Sequence, residues 1–120
     1  GKQSNYMLFT NPVKASIRKA LPKNFHELSL EGKRKIPKSD LPAITHVDYS
    51  ARVQVVKQGV NPTFWGLLQT FKKLTGTGVL INTSFNVKDE PIVNTPEDAY
   101  HCFINSGMDV LVLDNYLIVK

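Results

Sequence analysis

The stretch VLINTSFNVKDEP, residues 79–91, changes abruptly from an apolar run to a polar loop. Its first three residues, Val79-Leu80-Ile81, are apolar and mostly β-branched, so the sequence predicts a short buried strand over residues 79–82. Loops that leave the carboxyl ends of strands in α/β sheets are favoured positions for ligands. We therefore predict a functional site in the loop that follows this strand, which consists of Asn82, Thr83, Ser84, Phe85 and Asn86.

Further strands are predicted from the pattern of apolar residues. The sequence favours extended structure over residues 6–13, 43–47, 52–56, 109–113 and 116–119. The last two segments are separated by the pair Asp114-Asn115, which is typical of a tight turn. A strand hairpin is therefore expected at the end of the chain.

Two helices are predicted between these strands. Asn61 as N-cap and Pro62 at the first position are typical of a helix start, and Gly76 ends this helix. The second helix runs from the N-cap Thr95 through about Asn105. Together these elements predict an α/β protein of mixed α+β type, with one twisted mixed sheet and flanking helices.

Length and composition favour a single domain over residues 1–120. No apolar run approaches the ~20 residues needed to span a bilayer, and no signal-peptide pattern is present, so we expect no membrane contact and a cytoplasmic location. The single cysteine, Cys102, excludes an internal disulfide and gives no metal-ligand spacing. We therefore predict no metal site in this chain.

The formal charge of +5 comes largely from basic residues between positions 14 and 38. Clustered Lys and Arg are the electrostatic footprint of phosphate binding. Pro22, Gly32 and Pro37 lie in the same segment and indicate an irregular connection. A solvated loop explains these charges, and binding of nucleic acid, polyphosphate or another acidic surface is the alternative.

A first polar cluster lies just before the strand predicted over residues 52–56. His46, Asp48 and Arg52 alternate so that an imidazole, a carboxylate and a guanidinium can gather on one side of the chain. The guanidinium fork matches two oxygens of a phosphate. The alternative is an ion pair between Arg52 and Asp48, with His46 bonded to backbone, and spacing alone leaves both open.

The second polar cluster, the loop Asn82–Asn86, also has two interpretations. Its hydroxyls and amides can bind a nucleotide phosphate or a carbamoyl amide, or they can cap the loop's own backbone. If the loop binds a ligand, we expect Ser84 and Asn86 to point the same way while Phe85 packs into the core.

Several strings taken together resemble the carboxyl-terminal region of the NodU-type carbamoyltransferases. They are HVD followed by AR in residues 46–52, NTSFN at 82–86, EPIV at 90–93 and TPEDA at 95–99. The similarity extends over roughly the last two thirds of the chain, and YMLFTNPV at residues 6–13 also resembles the family. Residues 14–40 match only as a variable, basic connection.

This resemblance implies a YrdC-like domain that is the truncated carboxyl-terminal part of a longer carbamoyltransferase. In that family the YrdC-like domain makes carbamoyl adenylate from carbamoyl phosphate and ATP, with release of phosphate and pyrophosphate. An amino-terminal actin-like domain, which carries a metal ion, then transfers the carbamoyl group to an acceptor hydroxyl. The implied partners are therefore carbamoyl phosphate, ATP as co-substrate and that amino-terminal domain, and the isolated chain is expected to be inactive.

The resemblance also implies roles for the two polar clusters. Ser84-Phe85-Asn86 matches the family's Ser-x-Asn element and Arg52 matches the arginine of the HVD-x-x-AR motif, whereas the K-x-R element of YrdC-like proteins has no good counterpart. Arg52 and Ser84 are the expected catalytic residues. The expected binding set is His46, Asp48, Arg52, Asn82, Thr83, Ser84 and Asn86. His46 and Asp48 are expected to orient the Arg52 guanidinium.

The chain departs from the family pattern at three places. Tyr49-Ser50 stands where Gly-Thr is usual, Asp89 stands where Gly is usual, and Asn94 replaces a common Cys. Asp tolerates left-handed backbone better than most residues, so Asp89 is expected to keep its turn. Tyr49 adds bulk beside Arg52, which puts the fit of the substrate in question. A nucleic-acid-binding module and a non-catalytic docking domain are the alternative functions.

Overall fold

The computed structural model describes residues 3–120. The chain divides into two compact units, a first unit that ends at Ile81 and a second unit that comprises Asn82–Lys120. Helices and small antiparallel sheets are both present, which confirms the predicted α/β class. The YrdC-like fold stays a prediction.

The first unit contains a pair of antiparallel strands, β1 (Phe9–Pro12) and β2 (Ser50–Val53). Both lie at segments where strands were predicted, although each is shorter than expected or shifted by two residues. Ala51 of β2 is buried, and Val13, which is also buried, extends the pairing by donating its N–H to the carbonyl of Tyr49 (2.8 Å). Alternate side chains of a strand share a face, so Ser50 and Arg52 lie on the side opposite Ala51.

The basic connection between β1 and β2 is ordered by its own side chains. It contains two short 3-10 turns and the helix α1 (Leu30–Lys35), which begins at the N-cap Ser29. The buried Lys38 ammonium donates to the carbonyls of Lys33 (2.6 Å) and Ile36 (3.0 Å). These carbonyls lie in the last turn of α1 and just beyond it, where helix geometry leaves acceptors unpaired and favours a cation. Lys38 is therefore a structural cation.

Helix α2 (Pro62–Thr75) has the termini that the sequence predicts. The side chain of Asn61 accepts from the N–H of Phe64 (3.0 Å), and Gly76 closes the helix with a φ of 79°. Only glycine adopts this left-handed conformation without a steric cost. None of the residues of α2 is fully buried, and Leu67 and Leu74 are 52% and 80% exposed, so its apolar stripe is only partly covered.

The second unit consists of helix α3 (Pro96–Ile104) and the antiparallel strands β3 (Val110–Leu113) and β4 (Tyr116–Val119). The predicted helix and hairpin are confirmed, including the turn at Asp114, which has a φ of 49°. The core consists of Ala99, Phe103 and Leu111, against which Phe85, Val93, Met108, Leu113 and Ile118 pack. One face of the hairpin therefore packs on α3.

Two predicted strands are wrong. Residues 43–47 do not extend, because Thr45 donates its hydroxyl to the carbonyl of Leu41 (2.8 Å) and the backbone closes a turn over Pro42 to Ile44. Residues 79–82 are not part of a sheet, since no strand among the described residues pairs with them. In place of one mixed sheet, the described residues form two separate two-stranded antiparallel sheets.

Candidate functional site

The first polar cluster is a tight turn that is centred on Ser50. The N–H of Ser50 donates to Oδ1 of Asp48 (2.9 Å), and Nδ1 of His46 lies 2.8 Å from Oγ of Ser50. The hydrogen bonds from the side chain and the backbone of Ser50 lower the pKa of Asp48 from its ordinary value. The turn therefore favours a charged carboxylate at position 48.

Arg52 is not oriented by this turn, contrary to the prediction. Its Nη2 donates to the carbonyl of Met7 (2.8 Å), and within residues 3–120 neither His46 nor Asp48 is hydrogen-bonded or ion-paired to the guanidinium. The alternative Arg52–Asp48 ion pair is also not formed. The reason is that Asp48 is already committed to the backbone of Ser50, which is a local contact of the kind that Asp makes in turns.

Tyr49 has a φ of 62°, in the left-handed region that bulky residues rarely adopt. This explains why glycine suits the position. Two contacts hold the tyrosine there: its hydroxyl donates to the carbonyl of Lys19 (2.7 Å), and the Arg18 guanidinium lies 5.1 Å from the centre of its ring. Arg18 also donates through Nε to the carbonyl of Val13 (2.7 Å). The basic connection therefore reaches the polar turn, which the sequence did not reveal.

The second polar cluster lies in the second unit. Phe85 packs against the core of that unit, which confirms the expectation for its side chain. Asn86 donates through Nδ2 to the carbonyls of Glu90 (3.1 Å) and Val87 (3.3 Å), the local pattern of the self-capping alternative. Ser84 and Thr83 are exposed, and their hydroxyls make no hydrogen bond to any described residue. The loop therefore combines one capping amide with two available hydroxyls.

A second left-handed residue, Asp89, lies shortly after this loop. Asp89 has a φ of 68°, so its backbone adopts the left-handed conformation that was expected of it. The two polar clusters lie in different units: His46, Asp48 and Arg52 in the first and the loop Asn82–Asn86 in the second.

The remaining cysteine and histidine side chains lie outside the two polar clusters. Cys102 is buried in α3, and His26 and His101 are exposed. Among the described residues no group of three or more His, Cys, Asp or Glu side chains could hold a metal ion. Within the same residues no helix has the length and apolar character that crossing a membrane requires.

Comparison with known proteins places these features in a family. The family model described as "Carbamoyltransferase C-terminus" matches residues 1–120. An uncharacterized protein of Synechocystis sp. is 51% identical over 117 residues, which are 98% of this chain and 19% of that protein. The nodulation protein NolNO of Sinorhizobium fredii is 43% identical over 90 residues, 75% of this chain and 13% of that protein.

A relative with a named reaction is also similar. The 3'-hydroxymethylcephem-O-carbamoyltransferase of Amycolatopsis lactamdurans is 39% identical over 102 residues, which are 80% of this chain and 20% of that enzyme. The chain thus spans about a fifth or less of the length of these three relatives. Because the family model covers the whole chain, the protein belongs to the carbamoyltransferase C-terminus family.

Proposed function

We propose that this carbamoyltransferase domain binds ATP and carbamoyl phosphate and forms carbamoyl adenylate, as the activated donor for transfer to a hydroxyl group. The transfer is assigned to a preceding actin-like domain, which holds a metal ion, in a longer polypeptide. Support comes from the family membership and from the relative whose name describes transfer of a carbamoyl group to an oxygen.

The proposed reaction has two steps. Water hydrolyses carbamoyl phosphate to carbamate and phosphate. A carbamate oxygen then attacks the α-phosphorus of ATP, the bond from that phosphorus to the bridging oxygen of the β-phosphate breaks, and pyrophosphate leaves. The protein must hold two anions together and disperse the charge that builds on the phosphate, so it needs positive groups and hydrogen-bond donors rather than a nucleophile.

The exposed guanidinium of Arg52 is the observation on which the proposal mainly depends. Within the described chain Arg52 uses one donor nitrogen, Nη2, on the carbonyl of Met7. Because a guanidinium has five N–H donors in a planar fork, the others can bind two oxygens of one phosphate. The contact with Met7 fixes the side chain in advance, which lowers the entropy lost on binding.

The hydroxyls of Thr83 and Ser84 supply further donors in this proposal. Both are exposed and neither bonds to a described residue, so each can donate to a phosphate or a carbamoyl oxygen. Asn86 has a different proposed role, since its amide already bridges the carbonyls of Val87 and Glu90. It shapes the loop and leaves its oxygen for a ligand. Asn82 is assigned to the same loop, and His46 and Asp48 to holding the turn before β2.

Nucleic acid is not proposed as a partner, because much of the basic segment is occupied by protein contacts. Lys38 is buried on carbonyls, Lys33 donates to the carbonyl of His26 (3.1 Å), and Lys35 pairs with Glu31 (2.7 Å). These contacts argue against a continuous phosphate-binding surface, and the buried Lys38 also departs from the predicted solvated loop.

Replacing Arg52 with lysine in the longer polypeptide tests the proposal. Lysine keeps the charge but lacks the fork, so pyrophosphate release that depends on carbamoyl phosphate should fall about a hundredfold or more, which corresponds to about 2 to 4 kcal/mol of transition-state stabilisation. The melting temperature should change little, because Arg52 is exposed.

Arg34→Lys is the matched control. Arg34 is an exposed arginine of α1 whose side chain makes no hydrogen bond, ion pair or ring contact with a described residue, so this variant should keep the activity of the unmodified protein. Near-normal turnover of Arg52→Lys, or an equal loss in Arg34→Lys, would contradict the role of Arg52.

A further inference from the structure

The segment Val79–Ile81 has the composition of a strand but no strand partner. Its backbone N–H and carbonyl groups make no hydrogen bond to any residue in 3–120. Val79 and Ile81 are 41% and 61% exposed, although both are β-branched apolar residues. Unpaired backbone groups in a β-prone segment form a template for pairing with another strand.

The same three residues form one wall of an apolar cavity. The cavity has a volume of about 400 Å³ and lies within the first unit, where its other walls include Leu41, Ile44 and Phe71. The charged group among the lining residues is Asp40, and its carboxylate lies 3.6 Å from the Lys19 ammonium. A cavity of this lining accepts apolar side chains, and Asp40 contributes a charged edge to it.

The unpaired backbone of Val79–Ile81 and the apolar cavity beside it together suit a β-strand with apolar side chains. A strand that pairs with an open backbone edge gains its affinity from main-chain hydrogen bonds and its specificity from alternate side chains in neighbouring pockets. A strand on Val79–Ile81 would satisfy the backbone groups and direct every second side chain toward one face, where the cavity lies. A small polar ligand would leave the apolar walls without contacts.

A source for the strand is indicated by the length of the relatives. The matched region is 19% of the Synechocystis protein and 20% of the Amycolatopsis enzyme, so such proteins contain a long polypeptide beyond this domain. The half-covered stripe of α2, with Leu67 and Leu74 more than half exposed, also indicates that the first unit packs against further structure.

We propose that Val79–Ile81 is the docking edge for a β-strand from another part of the same longer polypeptide, with apolar side chains of that strand in the cavity beside Phe71. The proposal is independent of the adenylation chemistry. Docking at this edge would also affect the proposed ligand-binding loop, because Asn82 follows Ile81 directly in the chain. Pairing would fix the start of the loop that contains Thr83 and Ser84.

Amide hydrogen exchange in the longer polypeptide tests this pairing. Alternate residues of a strand point their N–H groups to the same side, so a single partner strand protects either Leu80 or both Val79 and Ile81. We expect at least one of these amides to exchange about a hundredfold more slowly than the amide of Ile92. Ile92 is the matched control, since it is 66% exposed and makes no hydrogen bond within the described chain.

Measurement of the exchange at several protein concentrations separates the possible sources of protection. Protection that does not change with protein concentration supports a strand from the same polypeptide, whereas protection that disappears on dilution would assign it to a second copy and overturn the proposal. Exchange of all three amides at the rate of Ile92 would also overturn it.

A pair of tryptophan variants tests whether the partner strand places side chains in the cavity. Ala43 is exposed and lines the cavity, so Ala43→Trp should fill it and speed the exchange of the protected amides at least tenfold. Ala20→Trp, at an exposed position that does not line the cavity, should leave the exchange unchanged. Undiminished protection in Ala43→Trp would contradict docking into the cavity.

Discussion

Tyr49 shows how a single residue can carry a conformational cost that distant contacts offset. Its φ of 62° places the Cβ of a bulky side chain close to backbone, which costs about 1 to 2 kcal/mol for an L-residue. The hydroxyl bond to the carbonyl of Lys19 and the stacking of Arg18 act in the opposite direction. The turn before β2 is therefore held by the basic connection rather than by a glycine.

Substitution of Tyr49 by glycine and by alanine should separate the two effects. Both variants lose the Lys19 and Arg18 contacts, but only alanine keeps the left-handed strain, so Tyr49→Gly should be more stable than Tyr49→Ala by about 1 kcal/mol in urea unfolding. Tyr100, which is 48% exposed in α3, is the control. There Gly should be the less stable of the two by about 1 kcal/mol, because helix propensity favours Ala. Equal stability of the two Tyr49 variants would contradict the strain.

The polar residues show which parts of the site the sequence could predict. Phe85 packs as expected, because alternate side chains of an extended segment point to opposite faces. Asn86 caps nearby backbone, which the sequence predicts only as one of two alternatives, because spacing cannot choose between a ligand and the loop's own carbonyls. The bond from the Ser50 N–H to Asp48 is not among the predicted alternatives, which were binding of a phosphate and an ion pair with Arg52. The Tyr49–Lys19 contact joins residues 30 positions apart, and no local pattern encodes such a pair.

At the scale of elements, helix ends were predicted better than strands. The ends of α2 and α3 depend on residues within one turn, such as Asn61, Gly76 and Thr95, so the local sequence contains the whole signal. A strand is defined by its partner, which can lie anywhere in the polypeptide. Val79–Ile81 has the composition of a strand without a partner among residues 3–120, and for this reason the prediction failed there.

The capping box of α3 gives a pH-dependent prediction. The side chain and backbone of Thr95 hydrogen-bond the Asp98 carboxylate and lower its pKa from the ordinary value of 3.8. Because the pKa is lower in the folded state, this contribution to stability is fully present above 3.8 and is lost as the pH falls through the folded-state value. Asp98→Asn should therefore be less stable than the unmodified chain at pH 7, and the difference should shrink at the acidic end of a series of urea titrations.

The Thr95→Ala background is the control for this pH effect. Without the Thr95 hydroxyl the largest cause of the lowered pKa is absent, while the backbone N–H groups of Thr95 and Asn94 still donate to the carboxylate, so Asp98→Asn should alter the pH dependence less. A stability difference between the unmodified protein and the Asp98→Asn variant that stays constant from pH 7 down to strongly acidic solution would contradict the linkage.

At the scale of the whole molecule, the second unit is close to the lower size limit for a stable core. Asn82–Lys120 is near the length of about 40 residues below which chains usually need disulfides, metals or partners. Its core depends on α3 and on one face of the β3–β4 hairpin, where Leu111 is buried and Ile118 is half-buried. The opposite face is largely exposed, as shown by Val112 at 64% and Leu117 at 68%.

Deletion of residues 115–120 should therefore unfold the second unit. The deletion removes β4, which takes Ile118 from the core and leaves β3 without its strand partner. A six-residue loss at this size cannot be offset by the remaining contacts of Phe103 and Leu111, so the amides of α3 should lose their protection from hydrogen exchange. A cooperative melt and α3 protection that survive the deletion would remove β4 from the core.

Two adjacent residues of β4 provide the matched comparison for this deletion. Ile118→Ala should lower the free energy of unfolding by about 2 kcal/mol, since its side chain packs against the Ala99–Phe103–Leu111 core. Leu117→Ala removes a side chain of the same size from the exposed face and should cost less than about 0.5 kcal/mol. If the two substitutions cost the same, the hairpin does not present one face to α3, and the effect of the deletion would have to arise from the lost backbone pairing alone.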